Sequence, residues 1–303
     1  MNRYPLATAM VLASLTLGAC SGPATSTPAP PRTTSPPTGC ITRPSSCGYP
    51  DDTNTGVPAG TALTKSGSIT ASQSGQVIEG LEITGEINVT ASNVTIRNVR
   101  VIGGRGVGNA DWVVVIRPGA EGLTITDSEL QTPAGTPQDI ACVLNIGDTK
   151  PTLRRLNIHG CSAGVSSGGG VVEDSYIHDL SEVPGQSHIV GVASNGGGGI
   201  TVRHNTILNR FPQTATVALY QDFGTQRDNL ITQNLLAGGG YCFYGGQGPK
   251  GGTRNIRFVG NRLSRHYFPN CGSFGVVAMF TSTDPGNTFS GNIWDEDGSE
   301  VPL

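Results

Sequence analysis

The chain has 303 residues, 44 of them glycine and 20 proline; 14% are charged and the net charge is −3. Glycine is about double and charge about half of the usual share, which excludes a disordered chain, a coiled coil and a protein that grips nucleic acid with a broad basic face. A hydrophobic share of 36% still suffices for a packed core. The glycines are clustered, as at 196–199, so collagen is excluded as well. Glycine among many Thr, Val, Ile and Asn predicts short strands joined by tight turns.

Residues 1–19 have the pattern of an export signal. Arg3 precedes an apolar run over 6–17, too short to cross a bilayer core of ~30 Å as a helix. The run ends in Leu17-Gly18-Ala19-Cys20, which resembles the lipobox of bacterial lipoproteins. That resemblance implies cleavage before Cys20, a diacylglycerol on its thiol, and attachment to the outer face of the bacterial cell membrane through the lipid alone. The other reading is an ordinary secretory signal. Residues 20–39, rich in Pro, Thr and Ser, predict an extended tether that builds no core. Residues 40–90 are expected to form an N-terminal cap and the first coil of a solenoid, because an open coil end exposes strand edges. The acidic groups Asp51/Asp52 and Asp295/Glu296/Asp297, at opposite ends of this region in sequence, are expected to be solvated.

From 91 to 303 the main signal is repetition. Two apolar anchors five residues apart enclose two polar residues, a corner residue and a variable one, as in Ile96-Arg97-Asn98-Val99-Arg100-Val101 and Val202-Arg203-His204-Asn205-Thr206-Ile207. Eight copies close at residues 101, 130, 158, 177, 207, 236, 263 and 294, mostly 27 to 31 residues apart with one short step of 19. A unit of that size cannot bury its own apolar side, so the copies must stack. Leucine-rich repeats need a dense Leu lattice and helical repeats a 3.6-residue period, and neither is present. β-branched segments bounded by Gly and Asn predict an all-β, right-handed parallel β-helix of about eight coils spaced ~4.8 Å apart. At that spacing like charges on successive coils repel, which accounts for Thr, Ser and Asn in their place.

The corner position reads Val99, Ser128, Leu156, Ser175, Asn205, Asn234, Asn261 and Asn292. Four stacked Asn can chain their side-chain amides along the axis, and Asn tolerates a left-handed corner. These residues resemble the right-handed parallel β-helix superfamily, the pectate-lyase-like fold with its asparagine ladder. Six cysteines besides Cys20 allow 15 pairings. Sequence neighbours are favoured: Cys40–Cys47, Cys142–Cys161 and Cys242–Cys271. The last two separations, 19 and 29 residues, match one coil each.

The candidate catalytic residues are His159, His178, His188, Tyr220 and Asp222. His159 and His178 each follow a closing anchor, so they stack on neighbouring coils and disfavour double protonation; Asp179 stands ready to orient a partner. His188, Tyr220, Asp222 and Tyr244 supply sugar-stacking faces, an acid and a base. Arg203, Gln221, Arg227 and Tyr244 are the candidate substrate contacts. Asp222-Phe223-Gly224, Tyr241-x-x-Tyr244-Gly245-Gly246 and Arg203-His204-Asn205-Thr206-Ile207 are similar to a group of secreted actinobacterial β-helix proteins. That group often carries His-x-Asp-Gly where this chain has His188-Ile189-Val190-Gly191, so an acid is replaced by Val190. No carboxylate cluster supplies the six to eight oxygens that Ca2+ takes, no metal site is assigned, and the cofactor is left open.

Two functions are expected from these residues. One is a monomeric surface lipoprotein that binds and cleaves a polysaccharide, by β-elimination next to a uronate carboxylate or by glycoside cleavage. The other is a non-catalytic glycan-binding or adhesin-like β-helix. Neither involves nucleic acid.

Overall fold

The computed structural model describes residues 39–303; the signal segment 1–19, Cys20 and all of the tether but Gly39 lie outside the described residues. From Thr64 onward the chain is a parallel β-solenoid with three walls. Wall A has ten strands, from Thr64–Ser66 to Ile293–Trp294; wall B has nine, from Ile69–Ala71 to Gly275–Ala278; wall C has ten, from Val77–Glu79 to Thr288–Ser290. Each coil passes through C, A and B in turn, and neighbouring strands pair in parallel, consistent with a right-handed β-helix. Helix among the described residues amounts to two short 3-10 turns, Cys40–Thr42 and Pro44–Cys47.

The eight repeats are the rungs of this ladder. Their opening anchors form one in-register column in wall C, from Ile96 and Ile125 to Phe258 and Phe289. Their closing anchors form another in wall A, from Val101 and Leu130 to Leu263 and Trp294. Both columns point inward and are almost wholly buried along most of their length. A further copy, Ile78 to Ile83, pairs with Ile96 and Val101 and carries the same five-residue spacing. It precedes the eight repeats and, with Thr64–Ser66, extends the solenoid into residues 64–90.

The asparagine ladder is present. Asn205 Nδ2 donates to Asn234 Oδ1 at 3.0 Å, Asn234 Nδ2 to Asn261 Oδ1 at 2.9 Å, and Asn261 Nδ2 to Asn292 Oδ1 at 3.0 Å. The same oxygens accept the main-chain N–H of the preceding rung. The left-handed corner sits one residue earlier than expected. Asn98, Asp127, Arg155, Asp174, His204 and Gln233 have φ between 50° and 56°, and Gly260 and Gly291 complete the column. The bend falls there because the ladder residue must send its side chain inward, whereas the residue before it faces solvent.

All three expected disulfides are formed, with Cα–Cα separations of 5.7, 5.7 and 5.8 Å. Cys142–Cys161 joins adjacent strands of wall B, and Cys242–Cys271 joins a wall B strand to the turn that leads into the next one, both from inside the core.

Residues 40–57 do not cap the first coil. They form a strap along the outer face of wall A. Cys40 and Ile41 cover Leu235 and Ala237 near the last rungs, Tyr49 stacks on His204 at 5.5 Å, and the Gly56 N–H donates to Arg155 O. The strap lies there because Leu208, Leu235 and Ala237 make wall A apolar on its outer face too, and a two-sided apolar strand needs cover. Two carboxylates expected in solvent are buried in its anchorage. Asp51 accepts from Ser45 N–H, Thr53 N–H and the Thr53 hydroxyl, and Asp295 accepts from Cys40 and Ile41.

Charge is not excluded from the stacked coils either. It stacks where its sign alternates: Glu82, Arg100 and Glu129 form one chain of ion pairs, and Arg154, Glu173 and Arg203 another.

Candidate functional site

The outer face of wall B is a shallow trough. Ala163, Val190 and Ala215 line up in register, as do Ser166, Ala193 and Ala218, so the floor is built of small side chains. Val190, expected from sequence to stand in place of an acid, is 3% exposed and packs with Ala193, Ala215 and Ala218. A carboxylate there would be buried on this apolar floor.

Three clefts of about 550, 340 and 550 Å3 follow one another along the trough. The first and second share Ser166 and Asn195, and the second and third share His188, Tyr220 and Asp222. Together they run over six successive strands, from Gln138–Asn145 to Gly275–Ala278, or ~24 Å. The rim is aromatic. Tyr220 and Tyr244 lie 6.1 Å apart, Tyr244 and Tyr241 5.7 Å, and Tyr241 and Phe274 6.0 Å, centroid to centroid. Phe223, from the Asp-Phe-Gly motif, is 86% exposed and faces Ile146 across the first cleft.

The trough depends on a local backbone feature. Gly196, Gly197, Gly198 and Gly199 all have positive φ. A Cβ on Gly196, which lines the first cleft, would collide with Gly224 N, so the glycine run lets the main chain of one coil lie against the next.

His188, Tyr220, Gln221, Asp222 and Tyr244, all expected from sequence, line the third cleft. Their chemistry differs among them. Gln221 is buried, donates to Gly251 O and accepts from Lys250 N–H, so its amide holds the 248–251 turn and is not free for substrate. Burial pushes the Tyr220 phenol above its ordinary pKa, and Tyr244 is raised for the same reason. Both stay protonated at neutral pH, poised to donate hydrogen bonds and not to abstract protons. Asn195 and Gln247 were not anticipated. Each has a side-chain oxygen shielded from water with no hydrogen-bond partner, and both residues line the trough. Both follow the end of a wall B strand, but only the coil geometry makes such a position a cleft wall.

The other expected residues stand elsewhere. Arg203 lies on wall C and is paired with Glu173; Arg227 is exposed on wall C beside Arg254. His159 and His178 meet as expected, 5.1 Å apart, but on wall A. His178 Nδ1 lies 2.7 Å from Asp179 Oδ2 and Nε2 2.8 Å from Asn157 Oδ1, with Tyr176 stacked on the ring at 4.0 Å. Burial, and after it the charge of His159, lowers the His178 pKa against the pull of Asp179. Asp179 meets Nδ1 with a carboxylate oxygen and Asn157 meets Nε2 with its amide oxygen, so both ring nitrogens face acceptors. With both nitrogens engaged, His178 has none left to act as a base. His159 is bonded through Nε2 to Glu129 at 3.2 Å and lines a separate cleft of about 310 Å3.

Among the described residues no group of three His, Cys, Asp or Glu is placed to hold a metal ion. No protein-family model, curated protein or solved structure matches this chain.

Proposed function

We propose that the wall B trough binds a polysaccharide chain lying along the solenoid axis. The observation that carries this reading is the coincidence, in one continuous groove, of the aromatic side chains Phe223, Tyr220 and Tyr244 with the polar residues Asn195, Asp222 and Gln247. Sugar rings present C–H faces to aromatic rings and hydroxyls to amides. The lipobox at Cys20 would hold this groove at the cell surface through a lipid anchor.

Binding is favoured over cleavage. Tyr220 and Tyr244 keep their protons, His178 is on another wall, and Arg203 and Arg227 are too far round the coil to stabilise an enolate formed in the groove. The cleavage reading retains one specific support: His188 and Asp222 line the same two clefts and would supply a base and an acid.

Affinity electrophoresis through gels containing soluble polysaccharides tests the groove. Retardation that Tyr244→Ala abolishes supports it; retardation that survives both Tyr244→Ala and Phe223→Ala places binding elsewhere. Ultraviolet absorbance of unsaturated products and reducing-end release, measured on the same panel, decide between binding and cleavage. Cys20→Ser is expected to release the protein from membranes.

A further inference from the structure

We infer that the glycan taken by the wall B trough is neutral, not a polyuronate. This rests on the trough being the glycan site. Along ~24 Å of groove, the charged lining residues are Asp148, Asp222 and Lys250, with His188 as a titratable neighbour. Lys250 does not stand free over the floor: its Nζ is hydrogen-bonded to the main-chain oxygen of Asp222. Arginine, whose fork matches a carboxylate, is absent from the lining of all three clefts, and the nearest sequence candidates, Arg203 and Arg227, sit on wall C.

A polyuronate brings one carboxylate per sugar. Several would lie in the trough at once, beside two protein carboxylates and opposite a single ammonium. At ~4 Å two like charges repel by about 1 kcal/mol in bulk water and several times that beside a low-dielectric wall. A neutral chain meets no such opposition.

The polar atoms agree. A sugar hydroxyl both donates and accepts, so it can pair with amide residues of the lining such as Asn195 and Gln247 through either amide group; a carboxylate only accepts. The phenols of Tyr220 and Tyr244 are kept in the neutral form that bonds hydroxyls, and Phe223 and Ile146 offer an uncharged platform at the open end.

Affinity electrophoresis of the full chain with mixed-linkage β-glucan, galactan and arabinan on one side, and polygalacturonate and alginate on the other, provides the test. Retardation by at least one neutral polymer is expected, changed less than about twofold between 0.05 and 0.5 M NaCl, because no ion pair is screened. Phe223→Ala and Tyr244→Ala are each expected to weaken it about tenfold. Polyuronate retardation that these two substitutions abolish overturns the neutral class while leaving the groove as the glycan site. Retardation by either class that neither substitution moves, or by no polymer of the panel, overturns the groove reading and this inference with it.

Discussion

The carboxylate of Asp295 accepts the main-chain N–H groups of Cys40 and Ile41 at 3.0 and 2.9 Å, 255 and 254 residues away in sequence. Its side chain is fully buried, with Arg262 Nε at 3.4 Å. The contact ties the N-terminal strap to the last rung. Asp295→Ala leaves two buried N–H groups unpaired, and hydrogen bonds to a charged acceptor are worth ~1.5–3 kcal/mol each. The expected result is local: a loss of about 3 kcal/mol in protection of residues 40–56, read by amide hydrogen exchange. Unchanged exchange over that segment would show that Cys40–Cys47 and the apolar cover suffice.

The asparagine ladder gives a graded prediction. Asn234 donates to Asn261 and to Val202 O, and accepts from both nitrogens of Asn205. Asn234→Ala breaks the chain in its middle and strands buried groups on two rungs, for a loss of about 2–4 kcal/mol in urea unfolding. Asn292, the last member, has no further Asn to bond, so Asn292→Ala is expected to cost less. Equal losses would mean that the extra bond from Asn234 to Asn261 adds nothing to stability.

Glu129 sets an acid limit. Its hydrogen bond from His159, reinforced by Arg100, pulls its pKa from 4.5 down to about 2. A depressed carboxylate stabilises the fold above its unfolded pKa, and that contribution is lost as pH falls through the folded value. The window therefore runs from about pH 4.5 to about pH 2. Glu129→Gln should flatten the fall in melting temperature across that window by on the order of 1–3 kcal/mol of stability. A parallel slope in both proteins would remove Glu129 as its source.

Alkaline behaviour follows from the tyrosines. Burial raises the phenols of Tyr176 and Tyr220, and also those of Tyr49, Tyr244 and Tyr267. In the unfolded chain they ionise near pH 10, so the raised folded values make stability decline above about pH 10. Spectrophotometric titration of the native protein should show most phenols still protonated at that pH, released together on unfolding. Glycan binding should stay level from about pH 7 to 9 if Tyr220 and Tyr244 act as neutral donors.

The rungs were legible in sequence because each coil repeats one constraint. Anchors five residues apart, such as Ile158 above Ile177, must both point inward, and that leaves a period in the chain. The first complete copy, Ile78 to Ile83, carries the same spacing, with Leu81 at its corner and the next copy 18 residues on. The disulfides Cys142–Cys161 and Cys242–Cys271 were legible for the same reason, since one coil of chain separates their cysteines. The candidate site was half legible. His188, Tyr220, Asp222 and Tyr244 share a wall, whereas His159, His178, Arg203 and Arg227 are spread over the other two.

Sequence by itself determined the coil, its period, its inward columns, the asparagine ladder and the covalent staples, because each is a relation between a residue and its equivalent one turn away. Tertiary structure alone decided what lies outside the walls. Which wall is covered depends on where a non-repeating segment packs: residues 40–57 lie on wall A because its outer face is apolar there, and wall B stays open beside its small-residue floor. The same placement turned Asp295 from an expected surface acid into a buried acceptor, and it made Asn195 and Gln247 groove residues through neighbours that no repeat records.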